Sequence, residues 1–175
     1  MASVKFKTTY ILIAIFAILF LFVYFYEKDR EIMDENEIET YKVAEINIEE
    51  VKQIKFIQDE KNTVVKKEGN KWNITKPIKY QARTSKIEDV IKEINNMEAS
   101  QKFSADNLSE FGLDSVANKV IITTSNDEKL EMLFGDPNPD QSKIYLKASS
   151  SDEIFLVDAQ VENSLSLDEE VLKED

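Results

Sequence analysis

Thr8–Tyr26, TTYILIAIFAILFLFVYFY, carries no charged residue, no Gly and no Pro. As a helix it would extend about 28 Å at ~1.5 Å per residue, close to the roughly 30 Å hydrocarbon core of a bilayer. Apolar side chains would fall on every side of such a helix, leaving no face to set against water. The expectation is a transmembrane helix over residues 8–26, with a buried core helix as the lesser alternative at this length. A cleaved signal peptide fits less well, because h-regions run about 7–15 residues and end in an A-x-A-like site. Here Ala14 and Ala17 sit in mid-run, and Tyr24, Phe25 and Tyr26 close it. With no Cys in the chain, a lipoprotein anchor is excluded.

The flanks suggest an orientation. Lys5 and Lys7 precede the run with no acid beside them, and Glu27, Lys28, Asp29, Arg30 and Glu31 come directly after it. Lys and Arg are retained on the cytoplasmic side while acids count for little. Two basic residues stand on each side, and the N-terminal amine tips the balance. This predicts a cytoplasmic N-terminus over 1–7 and a C-terminal domain outside the cytoplasm. Tyr10 and the Tyr24–Tyr26 group fit the headgroup boundary that aromatic rings prefer.

Every one of the 34 acids lies after residue 26, against 20 of the 22 Lys and Arg, so that part of the chain carries −14. Such a balance opposes nucleic acid and anionic lipid; it suits solubility, a basic partner or weak cation binding. The 175 residues contain neither Cys nor His. Disulfides, thiol nucleophiles, Cys/His zinc sites and His general bases are thereby excluded, and an enzyme would have to use carboxylates, Lys, Tyr or Ser.

Residues 27–43 are rich in helix formers and charge, and read as a stalk or linker ahead of a domain over 44–165. Apolar residues alternate in Val43–Ile48 and Val51–Ile57, the period of a half-buried strand. Thr63–Lys67 returns as a hairpin partner, Gly69 and Asn70 turn the chain, and Lys71–Thr75 is a strand that Pro77 ends. Thr84–Ala99 is the clearest helix. Ile87, Val90, Ile91, Ile94 and Met97 form one apolar stripe, and Ser85 with Glu88 matches a capping box. Gln101–Ser104 is a further candidate strand, and Asn107–Phe111 a helical turn stopped by Gly112. Two more hairpins come next, Lys119–Thr124 with Lys129–Phe134 and Lys143–Ala148 with Glu153–Val157. A short helix is expected over Asp158–Leu165, and a frayed acidic tail over 166–175. The turns Asp59-Glu60-Lys61 and Asp127-Glu128-Lys129 echo one another, with a Gly after each return strand at Gly69 and Gly135, as a duplicated hairpin unit or, more simply, as a coincidence of common turn residues. The fold class expected is α+β: an N-terminal single transmembrane helix, then a small domain of antiparallel β-hairpins packed on one main amphipathic helix.

Asp136-Pro137-Asn138-Pro139-Asp140-Gln141-Ser142 places oxygen-bearing side chains at alternate positions, like the opening of a calcium loop. The sixth place holds Gln141 in place of Gly, and the twelfth Lys147 in place of Glu, so a plain inter-strand turn is the stronger reading. Trp72 is a packing residue before it is a binding platform. Phe111, Gly112 and Leu113 suggest a packed corner with a positive φ at Gly112, and Asp114 a cap for the residues after it. No residue is assigned to catalysis, to a cofactor or to a metal.

Gly69, Asn70, Lys71 and Trp72, then Pro77 and Ala82, then the helix, then Leu108, Phe111-Gly112-Leu113-Asp114, Gly135 and Tyr145 together resemble the bacterial domain-of-unknown-function family 4340 over roughly residues 44–165. Arg83 stands where members often carry an acid, and Ser115 and Val116 where they often carry Pro after the Gly-Leu-Asp step. Many members repeat the unit; this chain resembles a single-unit version. The resemblance implies a membrane-tethered extracytoplasmic domain with no assigned activity, often encoded beside ABC-type permeases of the gliding-motility or auxiliary-transport kind. The expected function is a non-catalytic accessory or scaffold subunit of a membrane transport or envelope complex. The alternative is an extracytoplasmic binding module for a cation, a basic peptide or an envelope polymer. A carboxylate-based hydrolase is the third reading, and would require two convergent acids in a pocket.

Overall fold

The computed structural model describes residues 9–11, 13, 15–24, 39–59, 61–114, 118–165, 167 and 169–173. The chain divides into two units, Met1–Glu39 and Thr40–Asp175. In the first, residues 9–24 are helical where described, and their side chains are exposed all round. Among the described residues no helix is long and apolar enough to cross a membrane. The expected transmembrane helix is corrected on that finding. Lys5, Lys7, Phe25, Tyr26 and the expected stalk as far as residue 38 lie outside the described residues.

The second unit overturns the expected fold class as well. It is built on one ten-stranded antiparallel sheet with few helices, not on hairpins gathered around an amphipathic helix. In chain order the strands are β1 (Tyr41–Lys42), β2 (Val51–Gln58), β3 (Lys61–Glu68), β4 (Lys71–Lys76), β5 (Tyr80–Ala82), β6 (Glu98–Phe103), β7 (Asn118–Thr124), β8 (Lys129–Pro137), β9 (Lys143–Ala148) and β10 (Ile154–Asp158). The helices are α1 (Thr84–Asn96), α2 (Gln160–Leu165) and α3 (Glu169–Leu172), with single 3-10 turns at Ile48–Glu50 and Leu108–Phe111. Across the sheet the order is β1-β6-β10-β9-β8-β7-β2-β3-β4-β5.

Two four-stranded meanders, β2–β5 and β7–β10, meet at the β2–β7 pair, where Ile54 faces Ile122. Each is succeeded by a helix, α1 and α2, so the order reads the same outward from that seam in both directions. The echoed turns occupy equivalent places, and Asp59 and Asp127 both take a left-handed conformation, at φ 48° and 66°. Gly69 and Gly135 are not equivalent, since Gly69 comes after β3 and Gly135 lies within β8.

The chain passes from β5 at one edge through α1 to β6 near the other, with Arg83 and Met97 as the only residues between these elements. Eight strand spacings of ~4.8 Å would part β5 and β6 by about 38 Å in a flat sheet, whereas thirteen helical residues reach only about 20 Å. The sheet therefore curls round α1. Register breaks at Val51/Gln53, Val64/Val65, Phe134/Pro137 and Leu156/Val157 are the bulges that sharpen such curvature. The expected stripe of α1 is buried throughout, and it shares one core with Ile54, Phe56, Trp72, Ile122, Met132 and Leu146. Burying side chains of this size contributes about 1.5–3 kcal/mol each.

Three local expectations are corrected. Val43–Ile48 is not a strand: after β1, Val43, Ala44 and Ile46 enter the core as an irregular segment. There the side-chain amide of Asn95 replaces a neighbouring strand. Ile46 N–H donates to Asn95 Oδ1 at 2.7 Å, and Asn95 Nδ2 donates to the Ile46 carbonyl at 2.8 Å. The capping box of Ser85 and Glu88 does not form, because the helix starts earlier, with Arg83 at the N-cap and no side-chain cap bond. Arg83 is held there by its N–H donating to the Leu172 carbonyl at 2.7 Å. The frayed tail is in part ordered: α3 buries Leu172 completely, and Lys173 bridges to Ala82.

Candidate functional site

On the sheet face away from α1, the segment Leu108–Leu113 folds over β6, β8, β9 and β10. Asn107 opens its turn by accepting from the Ser109 N–H, and Gly112 closes it at φ 68°. Phe111 then stacks between Phe103 and Tyr145, with ring centroids 5.2 and 4.9 Å away. Leu113, Ile154 and Leu156 are buried on this side, outside the main core cluster. Two glycines permit the close approach. A Cβ on Gly135 would collide with the Phe111 carbonyl oxygen and lie 2.9 Å from Leu113 Cγ, and one on Gly112 would meet Asp136 Cγ at 2.5 Å. The expected Phe-Gly-Leu corner is therefore present, and Gly135 and Tyr145 are its counterparts on the sheet. Asp114 is exposed, and the residues it would cap, 115–117, lie outside the described residues.

Trp72 is buried in β4, with Lys67 Nζ 5.9 Å from its ring centroid; it packs and offers no platform. In the loop expected as a turn, Asp140 Oδ1 accepts from the backbone N–H and hydroxyl of Ser142, and Asn138 Oδ1 accepts from the Lys143 N–H at 3.0 Å. The side-chain oxygens that suggested a calcium loop thus close the turn itself. The Ser142 hydroxyl and N–H hold the Asp140 carboxyl below the ordinary range. Among the described residues no group of three or more acids converges to hold a metal.

The site that sequence reasoning missed is a cavity of about 260 Å³ between the irregular segment 44–50 and the ends of β7, β8 and β9. Ala44, Ile46, Ile122 and Leu130 supply its apolar lining, and Glu45, Glu50, Glu128, Lys129 and Ser149 are its charged and polar members. Ser125 N–H donates to the Glu50 carbonyl at 2.7 Å, and Lys52 pairs with Asp127 at 2.5 Å, so the segment is fastened to the β7–β8 turn. The hydrogen bond from the Lys52 ammonium, and its charge, hold the Asp127 carboxyl below its ordinary value. Glu50 accepts from Asn47 Nδ2, and Glu45 pairs with Lys42 at 3.1 Å. A neighbouring depression of about 390 Å³ shares Ser150 and includes Lys42, Tyr41 and Lys102. The Lys102 ammonium lies 2.8 Å from Glu153, which raises its pKa. The only signal in the sequence was the Ala44, Ile46, Ile48 alternation, and it pointed to a strand.

No curated protein and no solved structure matches the chain. A family described as a domain of unknown function (DUF4340) matches from Trp72 inside β4, later than the start near residue 44 that the resemblance suggested, and extends to 174. Over these residues 72–174, more than half of its length, the chain belongs to that family.

Proposed function

We propose that the protein is a non-catalytic accessory or scaffold subunit of a transport or envelope complex, resident at the cell membrane on its extracytoplasmic side. The observation that carries this reading is where the family-marking residues are used. Trp72, Phe111, Gly112, Gly135 and Tyr145 are spent on packing, while Gly69, Asn70, Lys71, Pro77 and Asp114 are exposed, which suits a packed sheet that presents surface. The exposed apolar side chains of Tyr10, Ile11, Ile13, Ile15, Phe16 and the run 18–24 favour a seat in apolar surroundings. The test is a mild-detergent pull-down of the full-length protein from its native membrane, with mass spectrometry of what accompanies it. A permease or ATPase recovered at near-equal amount, and lost when residues 1–26 are exchanged for an unrelated apolar anchor, is the expected outcome. Recovery of the protein alone over a range of detergent strengths would sink the proposal.

The cavity beside residues 44–50 favours a second reading, a binding module. An apolar lining with carboxylates around it suits an aliphatic ammonium or guanidinium side chain of a basic peptide. Oligolysine should then raise the melting temperature in a concentration-dependent way, and a flat titration excludes this reading.

A further inference from the structure

We propose that the corner made by the end of β4 and by β5 rests on an anionic phospholipid surface. This deepens the membrane seat proposed above and rests on it. From Gly69 to Ile87 the chain holds Lys71, Lys76, Lys79, Arg83 and Lys86 and none of its 34 acids, in a protein that is otherwise strongly acidic. Lys76–Gln81 are six consecutive exposed residues. Within them Ile78 is 50% exposed and Tyr80 41% exposed; among the described residues of the second unit, Val171 is the one other exposed large apolar side chain. Lys173, bridged to Ala82, adds a further cation 4.1 Å from the Tyr80 ring centroid.

An exposed isoleucine, a tyrosine and the ammonium groups of Lys76, Lys79 and Lys173 are what a phospholipid interface takes: the aromatic ring sits at headgroup level and the cations meet phosphates. A second copy is the poorer occupant. Pairing two β5 edges about a two-fold axis through Gln81 would set Lys79 against Arg83 of the other chain, and like charges across a strand pair repel. Acids lie close to the corner, Glu68 opposite Lys71 and Glu170 on α3, whose Leu172 accepts from the Arg83 N–H, so the approach is confined to the exposed tip Lys76–Gln81, whose charges are Lys76 and Lys79.

The absence of cysteine makes the test direct. The full chain, carrying an environment-sensitive fluorophore on Ile78→Cys or, as control, on Ser150→Cys, is reconstituted into nanodiscs of phosphatidylcholine alone or mixed with phosphatidylglycerol. Each disc also contains a doxyl-labelled phospholipid quencher. The expected result is a blue shift and quenching at position 78 in the anionic discs, lost when Lys76→Glu and Lys79→Glu are combined, with no quenching at position 150. A label at 78 as aqueous as that at 150, in a chain that stays with the discs, overturns this inference and leaves the membrane seat standing. A chain that leaves the discs altogether overturns both. Shielding of position 78 in native membranes, but not in lipid-only discs, would assign the corner to an acidic protein instead and overturn the inference.

Discussion

Gly135 is the residue on which the outer corner depends, because the Phe111 carbonyl and Leu113 occupy the space its side chain would need. Gly135→Ala should lower stability by about 1–3 kcal/mol, the usual cost of overpacking, read as a lower urea midpoint with an unchanged slope; an unchanged midpoint would mean the corner is loosely seated. Asp127 and Asp140 respond to pH. Their folded pKa values lie below the ordinary ~3.9 of an unfolded Asp. The stability they add is therefore fully present above that value and is lost as pH falls through the folded value. The double variant Asp127→Asn/Asp140→Asn should show a shallower loss of urea midpoint between about pH 5 and pH 2, by a small margin, since both groups are fully exposed. Lys102 behaves oppositely. Glu153 raises its pKa, so its contribution holds below the unfolded value of ~10.4 and disappears only as pH climbs through the folded one.

Among the elements, the irregular segment 43–47 depends on a side chain for what a strand would receive from its neighbour. Asn95→Ala leaves the Ile46 N–H and carbonyl without their partner and should cost about 1–3 kcal/mol. The segment should also show faster amide exchange at Ile46 while α1 keeps its protection. At the other end of the chain, Leu172→Ala should cost about 2–5 kcal/mol, as for a fully buried leucine; no measurable cost would mean that the tail frays after all. These two elements mark where the sequence stopped being legible. Hairpins β2–β3, β7–β8 and β9–β10 were readable because alternation and turn residues are local signals, and so were the α1 stripe and Gly112. Asn95 and Leu172 act on partners 49 and about 90 residues away, and nothing local announces such contacts. The cavity was illegible for the same reason, since its two sides come from 44–50 and 122–150.

For the whole molecule, a formal charge of −12 sets self-repulsion against a curled sheet. Raising ionic strength from about 0.01 M to 0.15 M shortens the Debye length from roughly 30 Å to 8 Å, so the melting temperature should rise over that interval; a fall would show that the exposed ion pairs outweigh the repulsion. The strand order has a further consequence, which concerns synthesis. The chain as far as Phe103 supplies β6 on one side and β2 on the other, and the second meander fills the four places between them. A ribosome releasing the chain from the N-terminus therefore exposes a molecule with an empty slot, bordered by two unpaired strand edges, until β10 emerges. Chains stopped near residue 114 would carry that slot permanently and recruit strands from one another.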